Sequence, residues 1–190
     1  MELRLEELDP GADAAALADF LSVQRWPFHL NSLVSKEAVL ERVNQGYYRN
    51  EERRTFWIVA DQRVGIAVLE DLQDDTPLFD LRLAEVARGC GYGRQALALL
   101  TEFVFSNYPS VRRFEGQTRE DNQAMRRVFL ANGFVQEARY REGWPVLAGP
   151  VQQSNSAAEP RVVEYLDSIG YAMLRRDFEA GTSTPVKWAD

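Results

Sequence analysis

The stretch Arg88-Gly89-Cys90-Gly91-Tyr92-Gly93-Arg94-Gln95 decides the fold. Its three glycines stand between an apolar, β-rich run from Leu78 to Ala84 and a long helical pattern. In that pattern Leu97, Leu100 and Val104 repeat at helical spacing, as do Ala96, Leu99 and Phe103. Both faces are apolar, which predicts a helix buried against a sheet. Strand, glycine loop and helix in that order can hold a phosphate. Glycine lets backbone N–H groups turn inward without a clashing Cβ. The helix start adds unpaired N–H donors and a partial positive charge, worth about 0.3–1 kcal/mol to an anion there. Arg88 and Arg94 flank the loop and could add charge-assisted contacts. The bland alternative is a helix entered through a flexible glycine turn. A P-loop is excluded, since Arg94 and Gln95 follow Gly93 where Lys-Ser/Thr is needed. The glycines run G-x-G-x-G after a third strand, which is not the early G-x-G-x-x-G of a dinucleotide fold.

Working outward, Leu3, Leu5 and Leu8 open a short strand ending at the turn signal Asp9-Pro10-Gly11. Ala14 to Leu21 reads as a first helix, interrupted by Arg25-Trp26-Pro27-Phe28-His29 because proline cannot continue it. Ser35 is the expected N-cap of a second helix with Val39, Leu40 and Val43 on one face. Thr55 to Ala60 and Val64 to Leu69, parted by Asp61-Gln62-Arg63, predict an antiparallel hairpin. After the glycine loop and its helix, Val111 to Gln117 is a further strand. Asn122 to Ala131 is a helix with Met125, Val128 and Phe129 inward, closed by Asn132-Gly133 as a left-handed cap. Phe134 to Trp144 and Ser168 to Arg176 read as two final strands. Residues 146–159, rich in Gly, Gln, Ser, Asn and Ala, read as a mobile loop insertion, and 179–190 as a tail. The order β-α-α-β-β-β-α-β-α-β-β predicts one mixed sheet with helices on it.

Composition bounds the function. At 190 residues the chain suits a single domain, residues 1–190. The 22 Lys+Arg against 29 Asp+Glu give a net charge of −7, which argues against nucleic-acid binding by bulk charge. No apolar run approaches the roughly 20 residues of a membrane span. The start Met-Glu-Leu-Arg-Leu-Glu-Glu lacks the features of a signal peptide, so a cytoplasmic location is expected. One cysteine, Cys90, and one histidine, His29, leave no internal disulfide and no His/Cys metal site. Acid–base chemistry must then fall to a carboxylate, His29, a tyrosine or water. Oligomeric state stays open, a homodimer included.

Three elements together resemble the GNAT superfamily, the GCN5-related N-acetyltransferases. Arg88-Gly89-Cys90-Gly91-Tyr92-Gly93 matches the family's Arg/Gln-x-x-Gly-x-Gly/Ala loop. Asn122 is followed eleven and twelve residues later by Gly133 and Phe134. Asp167 to Phe178 looks like the last strand of the RimJ/RimL-like branch, which acetylates ribosomal-protein N-termini. The resemblance covers roughly residues 2 to 178 and implies an α/β (α+β) GNAT fold. Its sheet is mixed and mostly antiparallel, with about seven strands, about four flanking helices and two strands splayed at the cofactor.

The resemblance further implies acetyl-CoA as cofactor and direct transfer of acetyl to a primary amine, with no metal. The acceptor would be a small-molecule amine or a protein N-terminus. Backbone groups of Leu81 and Leu83 would bond the pantetheine and thioester, with the Leu83 N–H polarising the carbonyl as charge develops on it. Backbone N–H groups of Gly89, Cys90, Gly91, Tyr92, Gly93 and Arg94, beside Arg88, would bind pyrophosphate. Asn122 would contact the pantetheine arm and Phe129 would pack beside it. The chain departs from the family where the leaving thiolate is protonated. Phe129 stands where relatives carry Tyr, and Met125 where the RimJ/RimL-like branch often has Ser. For the acceptor's base, Glu70 leads over Asp71 and His29. Trp26, Phe28 and His29 fall in the segment that lines the acceptor site, with Asp71 in the acidic connector Glu70 to Asp75. A non-catalytic acyl-CoA-binding module of the same fold is the competing expectation.

Overall fold

The computed structural model describes residues 3–147 and 161–187. Its seven strands are β1 (Arg4–Glu7), β2 (Arg54–Val59), β3 (Arg63–Glu70), β4 (Leu78–Leu83), β5 (Arg113–Arg119), β6 (Val135–Leu147) and β7 (Val162–Leu174). They form one sheet in the order β1-β2-β3-β4-β5-β7-β6. Every pairing is antiparallel except β4 with β5, which run parallel. The helices are α1 (Pro10–Ser22), α2 (Lys36–Asn44), α3 (Tyr92–Asn107), α4 (Gln123–Ala131) and α5 (Arg175–Ala180).

Alternation along the inner strands sends side chains to both faces, and a helical layer covers each. On one face Leu17, Ala18 and Leu21 of α1 and Val39 of α2 bury Trp57, Val59, Ile66 and Val68. On the other, Ala96, Leu97, Leu100 and Val104 of α3 and Phe129 of α4 pack on Phe56, Ile58, Ala67, Leu69 and Phe114. Each fully buried Leu there contributes about 1.5–3 kcal/mol over its exposed state.

Several boundaries differ from expectation, each for a local reason. Asp9-Pro10-Gly11 is a helix start: the Asp9 carboxylate accepts the Gly11 N–H at 2.9 Å, and Pro10 takes the first turn, where its missing N–H costs nothing. Leu40 does not join Val39 in the core but stands 40% exposed. On α3 the outer positions Arg94, Gln95, Ala98 and Glu102 are exposed, so only one broad face is buried. The last two strands are longer than their sequence pattern, at 13 residues each, because register shifts along β6 break the strict apolar alternation. Val146 and Leu147 therefore end β6; the rest of the expected 146–159 loop lies outside the described residues. Arg175 turns into α5 instead of continuing β7. The expected tail is pinned as far as Thr184, which bonds both carboxylate oxygens of Asp177. No helix among the described residues is long and apolar enough to cross a membrane.

Candidate active site

The site begins where the sheet opens. β4 and β5 share a single register pair, Leu78 with Glu115, beside which the Pro77 carbonyl accepts the Glu115 N–H at 3.2 Å. Beyond it the strands part. Successive residues of β4 aim their backbone groups to opposite sides. Ala84 bonds back to Val64 of the β3 side, so Leu83 and Leu81 direct theirs into the gap.

At the end of β4 a short 3-10 turn, Glu85–Ala87, leads into the glycine loop. Gly89 and Gly91 adopt φ of +77° and +82°, the left-handed region that L side chains avoid, and a Cβ on either would meet nothing within 4 Å. Gly91 is the N-cap of α3 and offers no side-chain cap, so the first N–H groups of α3 stay open to a ligand.

A cavity of about 460 Å³ spans this gap, bordered by Leu81, Leu83, Gly89, Gly91, Gly93 and Arg94 on one side and Trp26, Asn122 and Met125 on others. Arg88 also borders it, but its guanidinium holds the loop in place, donating to the carbonyls of Leu83 at 3.1 Å and Arg25 at 2.5 Å. Cys90 is exposed, its thiol beside the Arg88 carbonyl, and Tyr92 packs half-buried against the core; neither borders this cavity. Asn122 caps α4 by accepting the Met125 N–H at 3.2 Å and donates to Thr118 Oγ1 at 2.9 Å, which fixes its carboxamide at the cavity edge. Trp26 is 1% exposed and donates its indole N–H to the Leu21 carbonyl, serving as packing and wall together.

A second cavity, of about 370 Å³, adjoins the first and shares Phe28, His29, Leu81, Arg82, Asn122 and Met125 with it. Phe129, buried and stacked on Tyr171 at 4.5 Å, underlies it. Two carboxylates reach this cavity, and both are already partnered. Glu70 accepts the Tyr47 hydroxyl at 3.0 Å and has the Arg53 guanidinium 3.8 Å away. Burial, then the Glu70 charge and hydrogen bond, pushes the Tyr47 phenol up to about 12. Asp80 receives His29 Nε2 on one oxygen at 2.8 Å and Arg82 Nε on the other at 2.8 Å. Burial opposes ionisation of Asp80, but Arg82 and then His29 outweigh it and hold its carboxyl well below the usual carboxylate range.

The structure thus gathers Leu81, Leu83, the glycine loop, Asn122, Phe129, Trp26, His29 and Glu70 around two joined cavities. Asp71 borders neither; it sits in a left-handed turn at φ +57° with its carbonyl accepting the Asp74 N–H. Tyr47, Asp80 and Arg82 are additions that sequence reasoning missed. A signal existed for the last two: Asp and Arg two apart on an inner strand must share a face, and a buried charge needs a partner.

The family model described as acetyltransferase (GNAT) domain matches residues 2–135, and the chain belongs to that family. Among curated protein sequences none matches. A chimera of spermidine N-acetyltransferase SpeG from Vibrio cholerae with hSSAT shares the fold at a TM-score of 0.73 and 16% identity, covering 94% of this chain and 99% of the other. RimL, a ribosomal L7/L12 alpha-N-protein acetyltransferase solved with coenzyme A, gives 0.70 and 19%, covering 90% and 93%. A probable acetyltransferase gives 0.70 and 18%, covering 92% and 94%.

Proposed function

We propose that the protein transfers acetyl from acetyl-CoA directly to a primary amine held in the second cavity. The observation that carries this is the parting of β4 from β5 beside a left-handed glycine loop, with the second cavity opening on the far side of Leu81. The residues fit the cofactor. Side-chain-free space at Gly89 and Gly91 and the uncapped start of α3 suit a pyrophosphate. Backbone groups of Leu81 and Leu83 suit a pantetheine amide and a thioester carbonyl. Acetyl-CoA supplies the activated acyl group. The chain orients it, excludes water with Trp26, Phe28 and Met125, and offers the Leu83 N–H where negative charge develops.

The acceptor is a protein N-terminus or a small amine; RimL and SpeG, by name, represent these two classes. An α-amine of pKa near 7.7–8.0 is about a tenth neutral at pH 7, a lysine-type amine about one part in a thousand. With Glu70 and Asp80 both carrying cationic partners, the cavity has little unpaired negative charge for a polycation. This favours an acceptor bearing one amine on an apolar body.

Thermal unfolding with and without acetyl-CoA tests the cofactor site. Ligand at a hundred times its Kd adds about 2.7 kcal/mol. The midpoint should rise for the parent and not for Gly91→Glu; a folded parent that shows no rise overturns the reading. Thiol release with a panel of amines then separates the enzyme from a non-catalytic acyl-CoA-binding module, a second reading that Met125 and Phe129 favour because neither can donate a proton. Binding without turnover would establish that module.

A further inference from the structure

The second cavity has two ends, and the charges along it are unevenly matched. We propose that Arg42 selects the acceptor: its guanidinium receives a carboxylate that the acceptor carries at the end away from its amine. This rests on the acetyltransferase reading above and narrows the acceptor to amines that also bear a carboxylate.

One end opens on the cofactor. Leu81, Asn122 and Met125 border both the second cavity and the cofactor cavity, so the amine must stand beside them to reach the thioester. The other end opens along α2. Asn31, Val34 and Arg42 border both the second cavity and a third, of about 220 Å³, which runs on over Ser35, Ala38 and Glu41. None of Asn31, Val34 and Arg42 borders the cofactor cavity. Between the two ends Leu30, Phe79, Phe129 and Trp144 supply apolar wall. An acceptor lying along this cavity therefore has its amine at one end, an apolar body in the middle and its far end at Arg42.

Arg42 is the unmatched charge. The carboxylates of the cavity already have cations, Arg53 beside Glu70 and Arg82 with His29 on Asp80. Arg42, half-buried, has no ion pair and no side-chain hydrogen bond among the described residues. The buried nitrogens without a partner there are His29 Nδ1, Arg53 Nε and Trp57 Nε1, so the nitrogens of Arg42 are open to solvent. Its guanidinium carbon lies 5.4 Å from the centre of the Tyr47 ring, which is itself cavity wall, and this puts the charge at the cavity. The planar fork of a guanidinium matches a carboxylate with two parallel N–H bonds. Asn31 brings a carboxamide donor to the same end.

Structural duties alone do not account for this arrangement. Arg42 stands in the last turn of α2, where a cation complements the helix dipole, but that duty needs no cavity. Its charge also draws down the buried Tyr48 phenol, which burial pushes up, and a neutral phenol supplies no counter-charge. Discrimination then works in both directions. A polyamine laid along the cavity brings a second cation against Arg42, and a plain alkylamine leaves the guanidinium facing an apolar chain. A carboxylate set apart from the amine meets it with opposite charge. A free ω-amino acid and a peptide N-terminus followed by an acidic side chain both carry that chemistry.

The experiment measures kcat and KM by thiol release from acetyl-CoA with matched acceptors, for the parent, Arg42→Gln, Arg42→Lys and Arg42→Glu. For the free amino acid, 6-aminohexanoate is set against 6-aminohexanamide and hexylamine. For the peptide, Ala-Glu is set against Ala-Gln, both as C-terminal amides. In at least one set the parent should prefer the carboxylate by about 10–100-fold in kcat/KM, and that set names the carrier. Arg42→Gln should bring the ratio close to one, chiefly through KM, while acetyl-CoA still raises its unfolding midpoint. Arg42→Lys should keep part of the ratio. Arg42→Glu should invert it and favour hexane-1,6-diamine over hexylamine. A helix-dipole or packing role would lower every acceptor alike and leave the ratios where they were. A parent that acetylates the neutral acceptors as well as the carboxylates overturns the proposal and leaves the acetyltransferase reading standing. So does an Arg42→Gln protein that keeps the parent's ratio. A parent that binds acetyl-CoA but releases no thiol with any amine overturns both.

Discussion

A Cβ built on Gly116 would lie 2.8 Å from Phe79 Cε1 and 2.9 Å from Phe129 Cζ. Those rings belong to an aromatic group with Phe114 and Phe134, and Phe129 is clamped from behind by Tyr171 at an interplanar angle of 5°. The floor of the amine-side cavity is therefore rigid, and glycine stands at 116 for want of space. Gly116→Ala should destabilise the fold by about 1–3 kcal/mol through overpacking; an unchanged urea midpoint would mean that the rings yield freely. Tyr47 makes a prediction in pH. Its phenol titrates near 10 when unfolded and near 12 when folded, so the folded state holds the proton longer. The stability this confers is complete below pH 10 and is lost as pH rises towards 12. Tyr48 is shifted upward too, by burial first, and adds in the same direction. Unfolding followed from pH 9 to 12 should show Tyr47→Phe losing stability less steeply than the parent; equal slopes would refute the upward shift of the Tyr47 phenol.

At the scale of elements, two caps with the same chemistry do different work. Ser35 accepts the Ala38 N–H at 3.2 Å and starts α2. Asn122 accepts the Met125 N–H at 3.2 Å and also ties the start of α4 to Thr118 of β5, beside the opening of the sheet. Each cap replaced by alanine should cost about 1 kcal/mol. Only Asn122→Ala should also weaken acetyl-CoA, seen as a smaller ligand-induced rise in midpoint. An equal loss in Ser35→Ala would show that the ligand effect tracks helix stability and not the edge of the cavity. Asn122 reads in the sequence as a residue of its helix, whereas the Ser35 cap was legible there because capping is local, decided within three residues. α5 was not. Arg175 reads as a strand residue, yet its guanidinium turns back to the carbonyls of Phe105, Tyr108 and Val111, which are remote in sequence. Those carbonyls lie at the end of α3 and just beyond it, where a helix runs out of its own donors.

Taken whole, the molecule is two half-sheets, β1-β2-β3-β4 and β5-β7-β6, joined by one register pair. The hairpin of β2 and β3, the glycine loop and the order of elements could all be read from the chain, because periodicity and glycine spacing are properties of contiguous residues. The charged floor of the site could not. His29 with Asp80 spans 51 positions and Tyr47 with Glu70 spans 23, so their pairing exists only once α1 and α2 have docked on the sheet. The same division predicts where a ligand acts on the whole fold. Leu81 and Leu83 aim their N–H groups into the gap, whereas Ala84 is bonded to Val64 and the neighbouring β2–β3 ladder is closed. In amide hydrogen exchange without ligand, Leu81 and Leu83 should exchange much faster than Ile66 and Ala67. Acetyl-CoA bound in the gap should slow Leu81 and Leu83 and, by bridging the halves, the amide of Gln117 on β5. Slowing confined to the glycine loop would mean that the ligand binds by its phosphates alone and that the parted strands do not hold the acyl arm.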